Sequence, residues 1–393
     1  MNKFGRWFFM AAFVTTVVFA TNGDNLIGVG PTSRAMGGVG IADAQDSISA
    51  IFSNPATLSQ IDGDQFNFTG TYFNPSVKAK VVSPPPPFGV GVWSAKSKDA
   101  AYAVPAIGLS HRINENYTFG IGAYGVSGMG VDYRNQDPMN TNTTVSVMKF
   151  VTAIAYKRGN FSYGIGLDLD YQGADFGAGL SHNYALGARI GANYQYERWK
   201  FGIVYVTPQD VKHERIFDFD GDHIYDDLKL ENPAQYGFGI AYKFSDRFSS
   251  AFDVKYLDWN SANCYKDFGW DSQWVYALGF SYKATDRLTL RAGYNYGKSP
   301  LNKNNNFNPM GITIVQGKGI PTFGYEYFRI VGFPAIVEKH LTMGLGYDLS
   351  DKVSLNIGFK HAYEKTIEET FAFGSIQSKL SEDAIDFGVT FKF

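Results

Sequence analysis

FSYGIGLDLDYQ, residues 161–172, alternates without a break. Phe161, Tyr163, Ile165, Leu167, Leu169 and Tyr171 share one face of an extended chain; Ser162, Gly164, Gly166, Asp168, Asp170 and Gln172 share the other. Successive side chains of a strand point to opposite faces, so this period of two predicts a strand with one apolar face and one small or polar face. The alternation recurs at residues 274–283, 288–297 and 353–363. One such strand would suit a soluble sandwich with its apolar face on a core. Recurrence in strands of about ten residues points elsewhere, because that is the length a tilted strand needs to cross a bilayer.

The connections sharpen the expectation. Short polar links at 113–116, 158–160, 197–198, 245–247, 284–287 and 350–352 alternate with longer irregular pieces near 74–101, 127–145, 173–183, 208–232, 258–272, 297–337 and 364–383. Short turns on one rim and long loops on the other are the mark of an outer-membrane barrel, and this count predicts about fourteen antiparallel strands. Both chain ends then fall on the short-turn side. The last ten residues, AIDFGVTFKF, alternate again and finish on Phe393. A terminal strand ending on an aromatic resembles the signal that outer-membrane assembly machinery reads.

Composition agrees. Aromatics are 16% and charged residues only 18% of 393, and Gly (43), Tyr (25) and Phe (33) are abundant, as girdled barrels require. A net charge of −2 leaves no basic excess for nucleic acid. The single cysteine, Cys264, excludes an internal disulfide framework. At the start, Lys3 and Arg6 precede an apolar run over 7–19 that ends in Val18-Phe19-Ala20. This is the pattern of a cleaved export signal over 1–20, too short for a comfortable membrane span. No later run approaches the ~18 apolar residues of a membrane helix.

Between signal and strands lies NLIGVGPTSRAMGGVGIADAQDSISAIFSNPATLSQI, residues 25–61. It reads as two short helical pieces broken at Asn54-Pro55, with Asn54 as cap and Pro55 as first helical residue. One non-repetitive segment feeding a repetitive one suggests a plug over 21–62 and a barrel over 63–393.

Gly28, Gly30, Arg34-Ala35, Gly37-Gly38, Ile41-Ala42, Asp46 and Asn54-Pro55-Ala56 resemble the N-terminal pattern of the FadL-type outer-membrane transporters of long-chain fatty acids and other hydrophobic compounds. The likeness continues in residues 104–109, 119–122 and 332–347. It implies a fourteen-stranded barrel closed by an N-terminal hatch, here around Arg34, Gly37, Gly38, Phe52, Asn54, Pro55 and Ala56. It further implies capture of a hydrophobic small molecule outside, a site in the lumen, and sideways release into outer-membrane lipid. Release is associated with a kink in the third strand, here YTFGIGAYGVSGMG (117–130) with Gly122, Gly125, Gly128 and Gly130. Glycine within a strand marks bulges, although these glycines could equally make room in a crowded lumen. The family expectation is a monomer; a general porin or an adhesin-type barrel is the alternative.

Other candidate residues follow from chemistry. Loop 297–337 is unusually apolar, and Phe323, Tyr325, Phe328 and Phe333 are expected to line a capture groove unless the loop folds on itself. Asp218, Asp220, Asp222 and Asp226 in DFDGDHIYDD suggest either a solvated acidic tip or a structural calcium site, although the twelfth-position Glu of an EF-hand is missing. Asp168, Asp170, Lys255 and Arg291, with Arg34 from the plug, are expected to pair inside the wall or to meet a substrate carboxylate. Six scattered histidines lack metal spacing, and Gly-x-Ser-x-Gly is absent, so no enzyme is expected and no organic cofactor is implied.

Overall fold

The computed structural model describes residues 21–86, 89–218 and 222–393, so the expected export signal lies outside the described residues. Among those residues, fourteen antiparallel strands close on themselves. They are β1 (Gln65–Val82), β2 (Tyr102–Arg112), β3 (Tyr117–Asp132), β4 (Asn142–Arg158), β5 (Phe161–Asp175), β6 (Ser181–Tyr196) and β7 (Trp199–Val206). The second half is β8 (Gln235–Lys243), β9 (Phe248–Leu257), β10 (Gln273–Lys283), β11 (Leu288–Gly297), β12 (Lys339–Ser350), β13 (Val353–Phe371) and β14 (Gly374–Lys392). β14 pairs with β1 from Lys392↔Gln65 to Ser375↔Val82, which joins the last strand to the first and closes the barrel.

The faces are inverted relative to a water-soluble protein. In β5, Leu167 is 62% exposed while its neighbour Asp168 is fully buried. Every strand carries large apolar side chains outward, from Phe68 on β1 to Phe387 on β14, with polar or small residues inward. Such a surface is stable in hydrocarbon and not in water. Near the short-turn rim, aromatic rings pair across strands: Trp199–Tyr242 at 4.3 Å, Phe161–Tyr194 at 4.5 Å and Tyr117–Tyr156 at 4.9 Å. They form the interfacial girdle expected at one membrane boundary.

Two expected loops are different in kind. Only residues 176–180 separate β5 from β6, and no irregular piece spans 364–383, because β13 and β14 are 19 residues each and turn within Ala372–Phe373. Charged residues there made the sequence read as loop. In fact Ile367, Ile376 and Leu380 point inward while the outward face, carried above the apolar band, meets water. The 208–232 loop is a hairpin (Gln209–Phe217 with Asp226–Asn232). The 297–337 loop holds a hairpin (Ile312–Val315 with Lys318–Pro321), helix α3 (Thr322–Tyr327) and a π turn (Phe328–Gly332). Together with Trp259, Tyr265 and Trp270 they make an aromatic-rich core over the outer mouth.

Residues 21–62 occupy the lumen. Helix α1 (Pro31–Ala35), helix α2 (Ser47–Ser53) and a 3-10 turn (Pro55–Gln60) are almost entirely buried against the inward wall. α2 begins with a reciprocal cap: Asp46 Oδ1 accepts from the Ser49 amide at 2.8 Å, and Ser49 Oγ accepts from the Asp46 amide at 3.0 Å.

Candidate functional site

Asn54 ties the lumen segment both to itself and to the wall. Its Oδ1 accepts from the Ala56 amide at 3.0 Å and so caps the 3-10 turn, as the sequence predicts. Its Nδ2 donates to the Ile41 carbonyl at 2.8 Å and to the wall carbonyls of Ala192 at 3.2 Å and Ile203 at 3.3 Å. This approach is open because Gly191 and Gly164 face inward there; a side chain at 164 would run into the backbone of Pro55 and Ala56. Gly37 and Gly38 have φ of 75° and 87°, which only glycine adopts easily. The Gly37 amide donates to Thr342 Oγ1 at 3.0 Å, and its carbonyl accepts from Asn295 Nδ2 at 2.9 Å.

Arg34, Asp168 and Asp170 pair with charges, though not as grouped from the sequence, while Arg291 and Lys255 meet neutral groups. Arg34 belongs to a separate cluster, with Asp386 Oδ1 at 2.5 Å, Thr71 Oγ1 at 2.5 Å and the Gly28 carbonyl at 2.8 Å. Asp168 and Asp170 are held by Lys149, at 3.3 and 3.0 Å, and Asp168 also by Arg189 at 2.6 Å. Arg189 reaches on to the carbonyls of Ile51 (3.0 Å) and Phe52, tying α2 to β6. Asp253 Oδ2 accepts from the amides of Gly40 and Ile41 at 2.8 and 3.0 Å. Arg291 donates to Asn356 at 3.3 Å, and Lys255 to the Ile27 carbonyl at 3.4 Å. Lys149, Arg189 and Lys255 converge on a lumen cavity of about 30 Å³ that Phe52 and Val126 also line. Lys149, Arg189, Asp253 and Asp386 were missed in the sequence, although the period-two pattern already places Asp386 on the polar face of the last strand.

The wall is interrupted at β3. Up to Tyr124, β3 pairs with β2, ending at Ala106↔Tyr124. Beyond that, the described residues show no β2 partner for β3, and its end is met instead by the segment before β2, where the Lys98 amide donates to the Asp132 carbonyl at 2.9 Å. On its other side β3 follows β4 throughout, with one extra residue at Val126: Gly125↔Met148 is followed by Ser127↔Val147. The freed edge takes the lumen segment instead. Asn25 pairs with Ser127, and the Gly128 amide donates to the Asp24 carbonyl at 3.2 Å. Leu26 packs on Val104 of β2 across the gap. Gly125, Gly128 and Gly130 therefore lie within the displaced stretch, whereas Gly122 sits below it in regular ladder, opposite Gly108 and Val151. Just below the break, the outer wall carries an apolar groove of about 530 Å³ between Ile107, Ile121, Phe150 and Leu167.

At the outer mouth an apolar pocket of about 600 Å³ opens between the hairpins and β3–β4 loop. Tyr325 and Phe328 line it with Phe176, Phe217 and Phe268. Phe323 and Phe333 do not: Phe323 packs on Tyr327 and Phe371, and Phe333 on Phe176 and Phe328. Ile330 and Val331 are core, while Ile312 and Ile314 face solvent, so the apolar loop is divided three ways. Asp218 lines the pocket; Asp226 pairs with Lys318 at 2.7 Å, and Asp222 accepts from the Ile224 amide at 2.7 Å. Asp220 lies outside the described residues, and among the described ones no group of acids, histidines or cysteines is placed to hold a metal.

The Gln209–Phe217 hairpin docks through His213, whose Nε2 is 2.9 Å from Gln172 Oε1 and Nδ1 3.3 Å from Ser181 Oγ. Burial pushes this imidazole down to about 4 from its ordinary 6.5. The neutral ring is the docked form, so the stability it supplies is complete above pH 6.5 and is lost as pH falls toward 4. Protease clipping within this hairpin is expected to rise between pH 7 and pH 5 and to lose that dependence in His213→Gln; equal profiles would refute the docking role.

No curated protein sequence matches this chain. Solved structures do. A Pseudomonas aeruginosa FadL homologue superposes with a TM-score of 0.74 at 16% identity, covering 94% of this chain and 100% of that one. The Pseudomonas putida toluene transporter TodX gives 0.68 at 19% identity over 95% and 100%, and the Ralstonia pickettii toluene transporter TbuX 0.65 at 17% over 93% and 98%. At these identities the likeness speaks for the fold. The sequence itself matches the family described as outer membrane protein transport protein (OMPP1/FadL/TodX) over residues 9–198 and 187–309. With more than half the chain matched and the barrel closed, the protein belongs to that family of outer-membrane transport channels.

Proposed function

We propose that this barrel carries hydrophobic molecules passively from outside into the outer membrane, with capture at the mouth, passage through the lumen and release through the side. The observation that carries the reading is the break between β2 and β3, bridged by the lumen segment rather than by the wall. Lateral release makes physical sense: leaving an apolar phase for water costs about 0.8 kcal/mol per CH₂, and exit into the bilayer avoids that cost. Residues 21–62 act as the hatch, with Asn54-Pro55-Ala56 and Arg34 as its pins. An apolar outer face on every strand suits a monomer surrounded by lipid.

The mouth pocket is lined by aromatic rings and by Asp218, without a lysine or arginine among its described lining residues. This favours an uncharged apolar solute over a carboxylate at capture, and the toluene transporters among the structural relatives fit such a substrate. A long-chain fatty acid is the second reading, favoured by Lys255 at the lumen cavity. Labelled toluene and labelled oleate, supplied below saturation to cells expressing the barrel, separate the two. Tyr325→Ala with Phe328→Ala is expected to lower uptake of the accepted solute about tenfold, since an exposed-to-buried aromatic contributes roughly 1.5–3 kcal/mol. Unchanged uptake with correctly inserted protein would remove the pocket from the pathway.

A further inference from the structure

We propose that the mature chain begins at Thr21 and that its α-ammonium forms a buried ion pair with Glu382, pinning the chain end beside the break in the wall. The inference rests on the reading that the export signal ends at Ala20, where Val18-Phe19-Ala20 supplies the small-residue cleavage pattern. Thr21 is 2% exposed and lines a cavity of about 20 Å³. That cavity is enclosed by Phe73 and Val77 of β1, Gly128 and Met129 of the displaced part of β3, and Leu380 and Glu382 of β14. The chain end thus lies on the side from which β3 has left the wall. Its position is fixed by the pairs Thr21↔Leu26 and Asn22↔Asn25, and by Asn25↔Ser127 on β3.

Cleavage before Thr21 replaces an uncharged amide with an ammonium carrying three N–H donors. In this mostly apolar cavity an unpaired charge is strongly disfavoured, so the ammonium needs an acceptor. Glu382 is 2% exposed, lines the same cavity, and its Oε2 has no hydrogen-bond partner among the described residues. Each group supplies what the other lacks. Lys360 lies nearby on β13, with Nζ 5.3 Å over the Phe73 ring. Before cleavage the ammonium does not exist, and the pair can form only in processed protein.

Intact mass of the protein extracted from outer membranes establishes the first residue; any start other than Thr21 overturns the proposal by way of the signal reading. With Thr21 first, an amine-reactive ester at pH 7 labels the α-amine ahead of lysines, given its ordinary pKa of about 7.7–8.0. The folded protein is expected to label far more slowly than the heat-unfolded one, and Glu382→Gln about tenfold faster than the parent while still folded, as loss of a buried charged partner implies. Glu382→Asp, which keeps the charge, should label at an intermediate rate and serves if the glutamine variant does not insert. Labelling of the folded parent at the unfolded rate, or equal rates in parent and a folded Glu382 variant, overturns the ion pair while leaving the start site standing.

Discussion

Deletion of Val126 is expected to cut uptake of an apolar solute at least about a hundredfold while leaving a barrel that resists heat as well as the parent. Val126 is the residue that β3 inserts against β4. Without it, Gly125 and Ser127 keep the alternation of the lower strand, and the upper half of β3 returns to the plane of the wall. The free edge of β2 over Tyr102–Pro105 then gains a partner, and each recovered hydrogen bond contributes about 1 kcal/mol. With the wall sealed, a seven-carbon solute could leave only into water, at about 5.6 kcal/mol, far more than the 1.4 kcal/mol that makes a factor of ten. Uptake in cells and mobility after heating are the two readings. A sealed variant that still transports would place the exit elsewhere.

Gly164→Val should have the opposite character, opening the pore and weakening the fold. The valine would occupy the place of the Pro55 and Ala56 backbone, and α2 with its 3-10 turn would have to leave the wall. Overpacking costs about 1–3 kcal/mol, and the bonds from Asn54 to Ile41, Ala192 and Ile203 would be lost with it, at about 1 kcal/mol each. Planar-bilayer recordings should show steady conductance where the parent is nearly silent, with a lower unfolding temperature. Gly70→Ala is the control, since nothing lies within reach of a methyl group there. A silent Gly164→Val channel would mean that the 3-10 turn does not seal the lumen.

The barrel was legible because a strand in lipid has only one workable pattern. Leu167 outward and Asp168 inward follow from the period of two alone, and the short turns fix the strand count. Asn54-Pro55 was legible because capping is local chemistry. What escaped is what depends on contacts between distant segments. Arg34 finds Asp386 352 positions away, and no spacing rule links them. The glycines of 117–130 were read as one group, yet Gly122 is ordinary ladder and the break turns on Val126, which no local propensity distinguishes. Phe323, Tyr325, Phe328 and Phe333 are alike in composition, and only the fold of α3 and its π turn decides that Tyr325 and Phe328 meet the pocket.

β13 and β14 have a consequence for where a solute is met. Nineteen residues at about 3.3 Å each give about 63 Å of strand, or some 45 Å of height at a 45° tilt, against an apolar band of about 25 Å. The surplus carries the mouth like a chimney well beyond the apolar band. On the lateral route proposed above, a solute is met well outside the hydrocarbon layer into which it is released.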